Sequence, residues 1–99
     1  MRLPTKNGAI DDAEGERRFK AAADLGINYI DTAYPYHQGK GEEAVGRALE
    51  HTGLRSKFTI ATKSPVWLMK GEGDWDRYLA EQLERLGTDH IDFYLLHGL

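Results

Sequence analysis

Four residues that can exchange or orient protons lie at or just after the ends of three strand-like segments. The segments are residues 27–32, 58–62 and 91–96, and the four residues in chain order are Asp31, Tyr36, Lys63 and His97. Each segment is short, apolar and rich in β-branched or aromatic residues, which is typical of strands buried in a parallel sheet. Because parallel strands place their carboxyl ends at one edge of a sheet, we expect these four side chains to meet there.

A carboxylate, a phenol, an ammonium and an imidazole at one site indicate proton transfer. A free phenol has a pKa of about 10, and a nearby ammonium stabilises the phenolate and lowers that value. We therefore predict Tyr36 as a proton donor, Lys63 as its stabilising charge, Asp31 as the residue that holds the lysine, and His97 as a donor to substrate oxygen. Such a site protonates an oxygen that gains charge, as a carbonyl does when it accepts hydride. No side chain supplies hydride, so a nicotinamide cofactor is implied.

Structural roles are the alternative for each of these residues. An Asp31–Lys63 ion pair would account for both charges without any catalysis, because a lysine that continues a buried strand needs a partner. His97 follows an apolar segment and would also fit a hydrogen-bonded core histidine. The placement of the whole set at successive strand ends favours the catalytic interpretation.

One glycine motif resembles a dinucleotide-binding turn and is rejected. Residues 39–44 (GKGEEA) fit the G-x-G-x-x-G/A pattern between a strand and a helix. Glu42 and Glu43 would occupy the first helical turn, where they would repel a pyrophosphate. We interpret these two carboxylates as favourable charges at the positive end of the helix dipole.

The order of elements predicts an α/β fold built from β/α units. Helices are expected over residues 12–25 and 41–52, with a third beginning at a cap on Asp74, and each ends at a glycine. Residues 1–3 read as the tail of an earlier strand. A closed eight-stranded (β/α)₈ barrel needs about 250 residues. Residues 1–99 therefore look like about the first half of one barrel domain, from the end of strand 1 through strand 4. A small open sheet is the alternative.

Composition excludes several classes of function. The chain has 99 residues, a net charge of −3 and no cysteine. The acidic balance argues against nucleic acid as a partner, and the lack of cysteine excludes disulfides, thiolate metal sites and iron–sulfur ligation within these residues. No apolar run reaches the length of about 20 residues that spans a membrane. A cytoplasmic location is expected by default.

Three longer segments resemble the aldo/keto reductase superfamily. They are GINYIDTAYPYHQGKGEEAVGRAL, FTIATKSP and LERLGTDHIDFYLLHGL. The Asp and Tyr of the family's D-T-A-x-x-Y pattern match Asp31 and Tyr36, its strand-ending Lys matches Lys63, and the His of its L-[IL]-H segment matches His97. The start MRLPTKNG and the end DHIDFYLLHGL look most like a bacterial branch that often carries a C-terminal iron–sulfur segment, which this sequence lacks.

The resemblance implies a (β/α)₈ barrel that reduces aldehydes or ketones with NADP(H), or alternatively NAD(H). It places Asp31 near the nicotinamide ribose, whereas most other cofactor contacts of the family lie beyond the fourth strand. From their loop positions, Trp67 and Tyr34 are expected to line the substrate pocket with His97, with hydrophobic packing under a loop as the alternative. We expect no metal site.

The missing C-terminal half of the barrel, in the same or a second chain, is an implied partner, and the isolated chain is expected to be inactive. Two other functions stay open. One is a non-catalytic, barrel-derived subunit that binds a protein partner. The other is a half-barrel that pairs with itself through its exposed strand edges.

Overall fold

The computed structural model describes residues 1–98 as β/α units that follow a short hairpin. In chain order the elements are β1 (Thr5–Lys6), β2 (Ala9–Ile10), α1 (Asp12–Asp24), β3 (Tyr29–Asp31), α2 (Gly41–Thr52), β4 (Thr59–Ser64), α3 (Glu72–Leu86) and β5 (Phe93–Leu96). Single turns of 3₁₀ helix lie at Arg55–Lys57 and Val66–Leu68. The predicted alternation of helices and strands is confirmed.

Strands β3, β4 and β5 form a parallel sheet with β4 in the centre. The register pairs Asp31 with Ala61, and pairs Lys63 with Leu95. Since side chains alternate between the two faces of a strand, Asp31, Ala61 and Lys63 share one face. The helices cover the other face. The carboxyl ends of the three strands therefore meet at one edge, as predicted.

Strand β4 is longer than expected and includes two of the polar residues that follow its apolar core. The prediction ended this strand at Thr62, whereas the structure continues it through Lys63 to Ser64. Lys63 is thus held by the sheet itself. The register with β5 fixes its backbone on that side of the sheet.

Strands β1 and β2 form a tight antiparallel hairpin around Asn7 and Gly8. Asn7 and Gly8 both have positive φ angles, 55° and 80°, which is the geometry of a type I′ two-residue turn. Residues 1–3, predicted as the tail of a strand, have no regular secondary structure here, although Leu3 is buried in the core.

Helices α1 and α2 follow the sequence pattern closely. The carboxylate of Asp11 accepts a hydrogen bond from the Glu14 N–H at 3.1 Å and so caps α1. The apolar residues of α2 recur at helical spacing and are all buried; they are Ala44, Val45, Ala48 and Leu49. These side chains pack with Phe19, Ile30 and Ile60 in the main core.

Helix α3 departs from the prediction at its start. Gly71, not Asp74, is the N-cap residue, and Asp74 lies inside the first turn, where it accepts a hydrogen bond from the Lys70 N–H at 2.7 Å. Trp75 is 40% exposed, and the buried stripe of α3 begins one turn later, at Tyr78. The remainder of that stripe includes one polar residue, Gln82, which is completely buried.

Helices α2 and α3 touch at Gly46. A Cβ atom at this position would lie 2.7 Å from the backbone oxygens of Arg85 and Leu86. Only glycine permits this approach of the two helices. None of the helices between residues 1 and 98 is long and apolar enough to cross a membrane.

Candidate active site

Lys63 is the centre of the site at the carboxyl edge of the sheet. Its Nζ atom lies 3.0 Å from both carboxylate oxygens of Asp31 and 2.9 Å from the backbone oxygen of Thr32. The lysine side chain is 15% exposed, while that of Asp31 is 42% exposed. The ammonium is therefore largely enclosed, and the carboxylate keeps one side open to a ligand.

The hydroxyl of Tyr36 also contacts this lysine. Lys63 Nζ donates to Tyr36 Oη at 3.3 Å and lies 4.9 Å from the centre of the tyrosine ring. One ammonium thus contacts a carboxylate and a phenol at the same time. Burial alone would lower the pKa of Lys63, but the hydrogen bonds with Asp31 and Tyr36 outweigh it and raise the pKa above its ordinary value. Lys63 is therefore a stable positive charge beside the phenol.

The loop that carries Tyr36 has an unusual backbone. His37, Gln38 and Gly39 all have positive φ angles, of 53°, 59° and 85°. The left-handed conformation costs about 1–2 kcal/mol for a residue with a side chain. Two such residues in succession mark a local strain that the surrounding contacts must hold, as is common at functional sites.

Gly41 lies where that loop ends and helix α2 begins. Its N–H donates to the Tyr36 oxygen at 3.0 Å, and a Cβ at position 41 would lie 3.0 Å from the same oxygen. The glycines of the rejected dinucleotide motif therefore shape the turn that carries Tyr36, which gives them a role without any bound phosphate.

His97 completes the predicted set. Its backbone N–H donates to the Ser64 oxygen at 3.2 Å, so the end of β4 positions it directly. Its ring lies 5.8 Å from the Tyr36 ring and 5.3 Å from the Trp67 ring, in edge-to-face arrangements. Within the described residues its Nδ1 atom is buried without a hydrogen-bond partner. Buried polar atoms are rarely left unpaired, so this atom is suited to a ligand or an ordered water.

The structure thus brings together Asp31, Tyr36, Lys63, His97 and Trp67, but it does not bring Tyr34 to this group. The Tyr34 hydroxyl donates to the Glu81 carboxylate at 3.1 Å, and the Arg85 guanidinium lies 4.0 Å from the Tyr34 ring centre. Burial, followed by the hydrogen bond to Glu81, raises the pKa of Tyr34. The Tyr34 side chain packs against α3, which agrees with the alternative that this residue has a packing role and does not line the substrate pocket.

A buried polar cluster that the sequence patterns did not predict lies on the helix side of the sheet. Glu42, predicted only to favour the positive end of the helix dipole, is 0% exposed. Its carboxylate accepts hydrogen bonds from Thr62 at 2.6 Å, Gln82 at 2.9 Å and Arg85 at 3.2 Å. Burial raises the pKa of Glu42 in spite of these bonds. Gln82 was the available signal, since it lies between Tyr78 and Leu86 at helical spacing and a buried amide there requires a polar partner.

Tyr94 closes the same cluster from strand β5. Its hydroxyl donates to Gln82 Oε1 at 2.5 Å. Burial, together with the negative charge of Glu42, raises the pKa of Tyr94 to about 12. The cluster therefore joins α2, α3, β4 and β5 on the face of the sheet opposite to the ammonium of Lys63.

The repeated β/α units, with polar side chains gathered at the carboxyl edge of a parallel sheet, place the chain among the (β/α)₈ barrels, of which it forms the N-terminal part. Residues 1–99 match the model of the Aldo/keto reductase family. The chain belongs to that family.

Relatives agree with this assignment. An aldo-keto reductase of a Mycobacterium species is 40% identical over 91 residues, which are 91% of this chain and 31% of the relative. The methylglyoxal reductase YeaE of Escherichia coli is 42% identical over 78 residues, which are 79% of this chain and 26% of that protein.

A solved structure gives the same result. The aldo-keto reductase of Klebsiella pneumoniae in complex with NADPH superimposes with a TM-score of 0.77 at 36% identity, covering 87% of this chain and 29% of that one. The chain thus spans less than a third of the length of these relatives.

Proposed function

We propose that this chain provides the proton-transfer part of an NADP(H)-dependent reductase of aldehydes or ketones. The observation that carries the proposal is the position of the Lys63 ammonium, within hydrogen-bonding distance of both the Asp31 carboxylate and the Tyr36 hydroxyl. Oxidoreduction with a nicotinamide cofactor agrees with the Klebsiella relative, whose structure contains NADPH.

Tyr36 is the proton donor in this mechanism. As a carbonyl becomes an alkoxide, its oxygen takes the phenolic proton, and the charge left on Tyr36 is stabilised by Lys63. Asp31 keeps the lysine charged and fixed, and solvent returns the proton to Tyr36 after the product alcohol leaves.

His97 and Trp67 would orient the carbonyl compound. The ring of His97 stands against Tyr36, so a carbonyl oxygen near the phenol is also within reach of the imidazole. Trp67 is 54% exposed and packs against His97, which suits it to form an apolar wall for the substrate.

The Asp31 carboxylate is suited to contact a nicotinamide cofactor. The carboxylate of Asp31 is partly open to solvent while its lysine partner is enclosed, so it can accept a hydrogen bond from a ribose hydroxyl without releasing Lys63. NADP(H), when bound, supplies the hydride. NAD(H) would fit the same carboxylate.

The intact set of four residues supports catalysis over a non-catalytic, barrel-derived subunit. A subunit that only bound a partner would need an Asp31–Lys63 pair at most. Neither the close approach of Tyr36 nor the buried, unpaired Nδ1 of His97 would be required.

The test requires a complete barrel. Residues 1–99 would be joined to the remaining barrel of the Klebsiella relative, and the loss of NADPH absorbance with a small aldehyde would be measured. We expect Tyr36→Phe to lower kcat by at least about 10²-fold with little change in NADPH affinity. Tyr29→Phe, which removes a hydroxyl elsewhere on the sheet, is the matched control. Near-full activity of Tyr36→Phe would overturn the proposal.

A further inference from the structure

The side chain of Gln82 binds the backbone of Lys63 from the helix side of the sheet. Strand β3 ends at Asp31, and the Thr32 N–H donates to the Ala61 oxygen at 2.8 Å before the chain leaves the sheet. Two residues further along β4, the Lys63 oxygen accepts a hydrogen bond from Gln82 Nε2 at 2.9 Å. A side chain from α3 thus binds the backbone of β4 at the point where the neighbouring strand turns away.

Arg85, on the same helix as Gln82, binds the loop that carries Tyr36. Its Nη1 atom donates to the backbone oxygen of Tyr34 at 3.0 Å, two residues before Tyr36, and its guanidinium packs on the Tyr34 ring. Gln82 and Arg85 therefore fix the two backbone segments whose side chains, Lys63 and Tyr36, must lie within hydrogen-bonding distance.

One buried carboxylate orients both of these residues. Glu42 Oε2 accepts from Gln82, and Glu42 Oε1 accepts from the same Arg85 Nη1 atom that binds Tyr34. Thr62, directly before Lys63, donates to Glu42 as well. We propose that Glu42 is a positioning residue that sets the distance between Lys63 and Tyr36 by holding Gln82 and Arg85 in place.

This inference rests on the proposed function, and a buried carboxylate that only stabilised the fold is the competing explanation. A misplacement of reacting groups by about 1 Å can cost about 100-fold in rate. We therefore expect Glu42→Gln to lower kcat by about 10-fold or more while NADPH affinity stays the same, since Glu42 lies on the helix side of the sheet.

A positioning role and a purely electrostatic role of Glu42 predict opposite effects of its replacement on the ionisation of Tyr36. Removing a buried negative charge would by itself make a nearby phenol easier to ionise. Moving Lys63 away from Tyr36 would make it harder to ionise. We expect the pH midpoint of phenolate formation at position 36 to rise in Glu42→Gln, as measured by ultraviolet difference spectra of each protein against its Tyr36→Phe counterpart.

The experiment uses the complete barrel described above, with Glu43→Gln as the matched control. Glu43 is the next residue of the same helical turn, carries the same charge and is exposed. Arg85→Lys is a second variant, which keeps a positive charge opposite Glu42 but loses the planar contact with Tyr34, and it should raise the midpoint in the same direction.

A midpoint that is unchanged or lower in both Glu42→Gln and Arg85→Lys would overturn the inference. The same holds if Glu42→Gln fails to fold while Arg85→Lys folds with an unchanged midpoint, since Glu42 would then be purely structural. The midpoint does not depend on turnover. If Tyr36→Phe stayed active, the proposed function would fail, and the positioning role would still be decided by the spectra.

Discussion

The Nζ atom of Lys63 lies 3.0 Å from each carboxylate oxygen of Asp31, although the two residues are 32 positions apart in the sequence. The distance is short because β3 and β4 are parallel neighbours and both side chains point to the same face. The pair is therefore a product of the β/α crossover, and each of its members can be tested separately.

Replacing Lys63 by Met should be nearly as damaging as removing the Tyr36 hydroxyl, with kcat lower by about 10²–10⁴-fold. The phenol loses its stabilising charge, so the basic limb of the pH–rate profile should move to higher pH. Asp31→Asn should be milder because it affects the lysine and not the transferred proton. Steady-state kinetics of the complete barrel over a range of pH checks both; an unshifted limb in Lys63→Met would argue against the assigned role.

His97→Ala should mainly raise KM for the carbonyl substrate. The imidazole is expected to orient the substrate, while the proton still comes from Tyr36. Trp67→Ala tests the adjoining wall and should raise KM for bulky aldehydes more than for small ones. If His97→Ala abolished turnover while Tyr36→Phe did not, the histidine would be the acid.

Gly46→Ala should destabilise the fold by about 1–3 kcal/mol, the usual cost of overpacking. The added methyl group would meet two backbone oxygens of α3 at 2.7 Å, and backbone cannot rotate away as a side chain does. Gly15→Ala, in the interior of α1 with open space around it, should instead be neutral or stabilising by about 0.5–1 kcal/mol. Urea denaturation of the complete barrel measures both, and equal midpoints would refute the close helix contact.

Asp92 should make stability depend on acid pH. It accepts a hydrogen bond from the Ile60 N–H at 2.8 Å and lies beside Arg55, and these contacts lower its pKa below 3.8. A lowered pKa in the folded state gives a stabilisation that is present above the unfolded value and lost as pH falls through the folded one. Asp92→Asn should flatten the fall of the urea midpoint on acidification. An equally steep fall in the variant would count against it.

The isolated chain should self-associate or be marginally folded, and should not reduce aldehydes with NADPH. In the part of the chain that the structure describes, β3 and β5 each pair only with β4, and Tyr29, Phe93 and Leu95 are 47%, 52% and 42% exposed. Exposed apolar surface beside unpaired edges favours association. Analytical ultracentrifugation tests this, and a stable monomer that unfolds cooperatively would contradict it.

The sequence was most informative where its periodicity and its chemistry agreed. Apolar runs followed by Asp31, Lys63 and His97 were sufficient to predict a parallel sheet with a site at its edge. The hairpin at β1 and β2 was missed because strands of two residues carry no detectable alternation.

The directions of individual side chains could not be predicted from the sequence either. Glu42 and Glu43 are adjacent acids in the first turn of one helix, yet only Glu42 faces the sheet and is buried there. The same is true of Tyr34 and Tyr36, which lie two positions apart and point to different sides of the loop. Such directions depend on tertiary contacts that no local pattern contains.

Strand β4 presents Lys63 to one face of the sheet, while Thr62 and Ser64 are buried towards the other. A one-residue insertion directly before Thr62 would exchange the faces of every later residue in the strand. The ammonium would then enter the helix layer, and a small hydroxyl would replace it opposite the phenol. One inserted residue in β4 would thus abolish the proton-transfer site and destabilise the fold together. Grafts from related barrels should therefore tolerate new residue types in this strand far more readily than a new residue count.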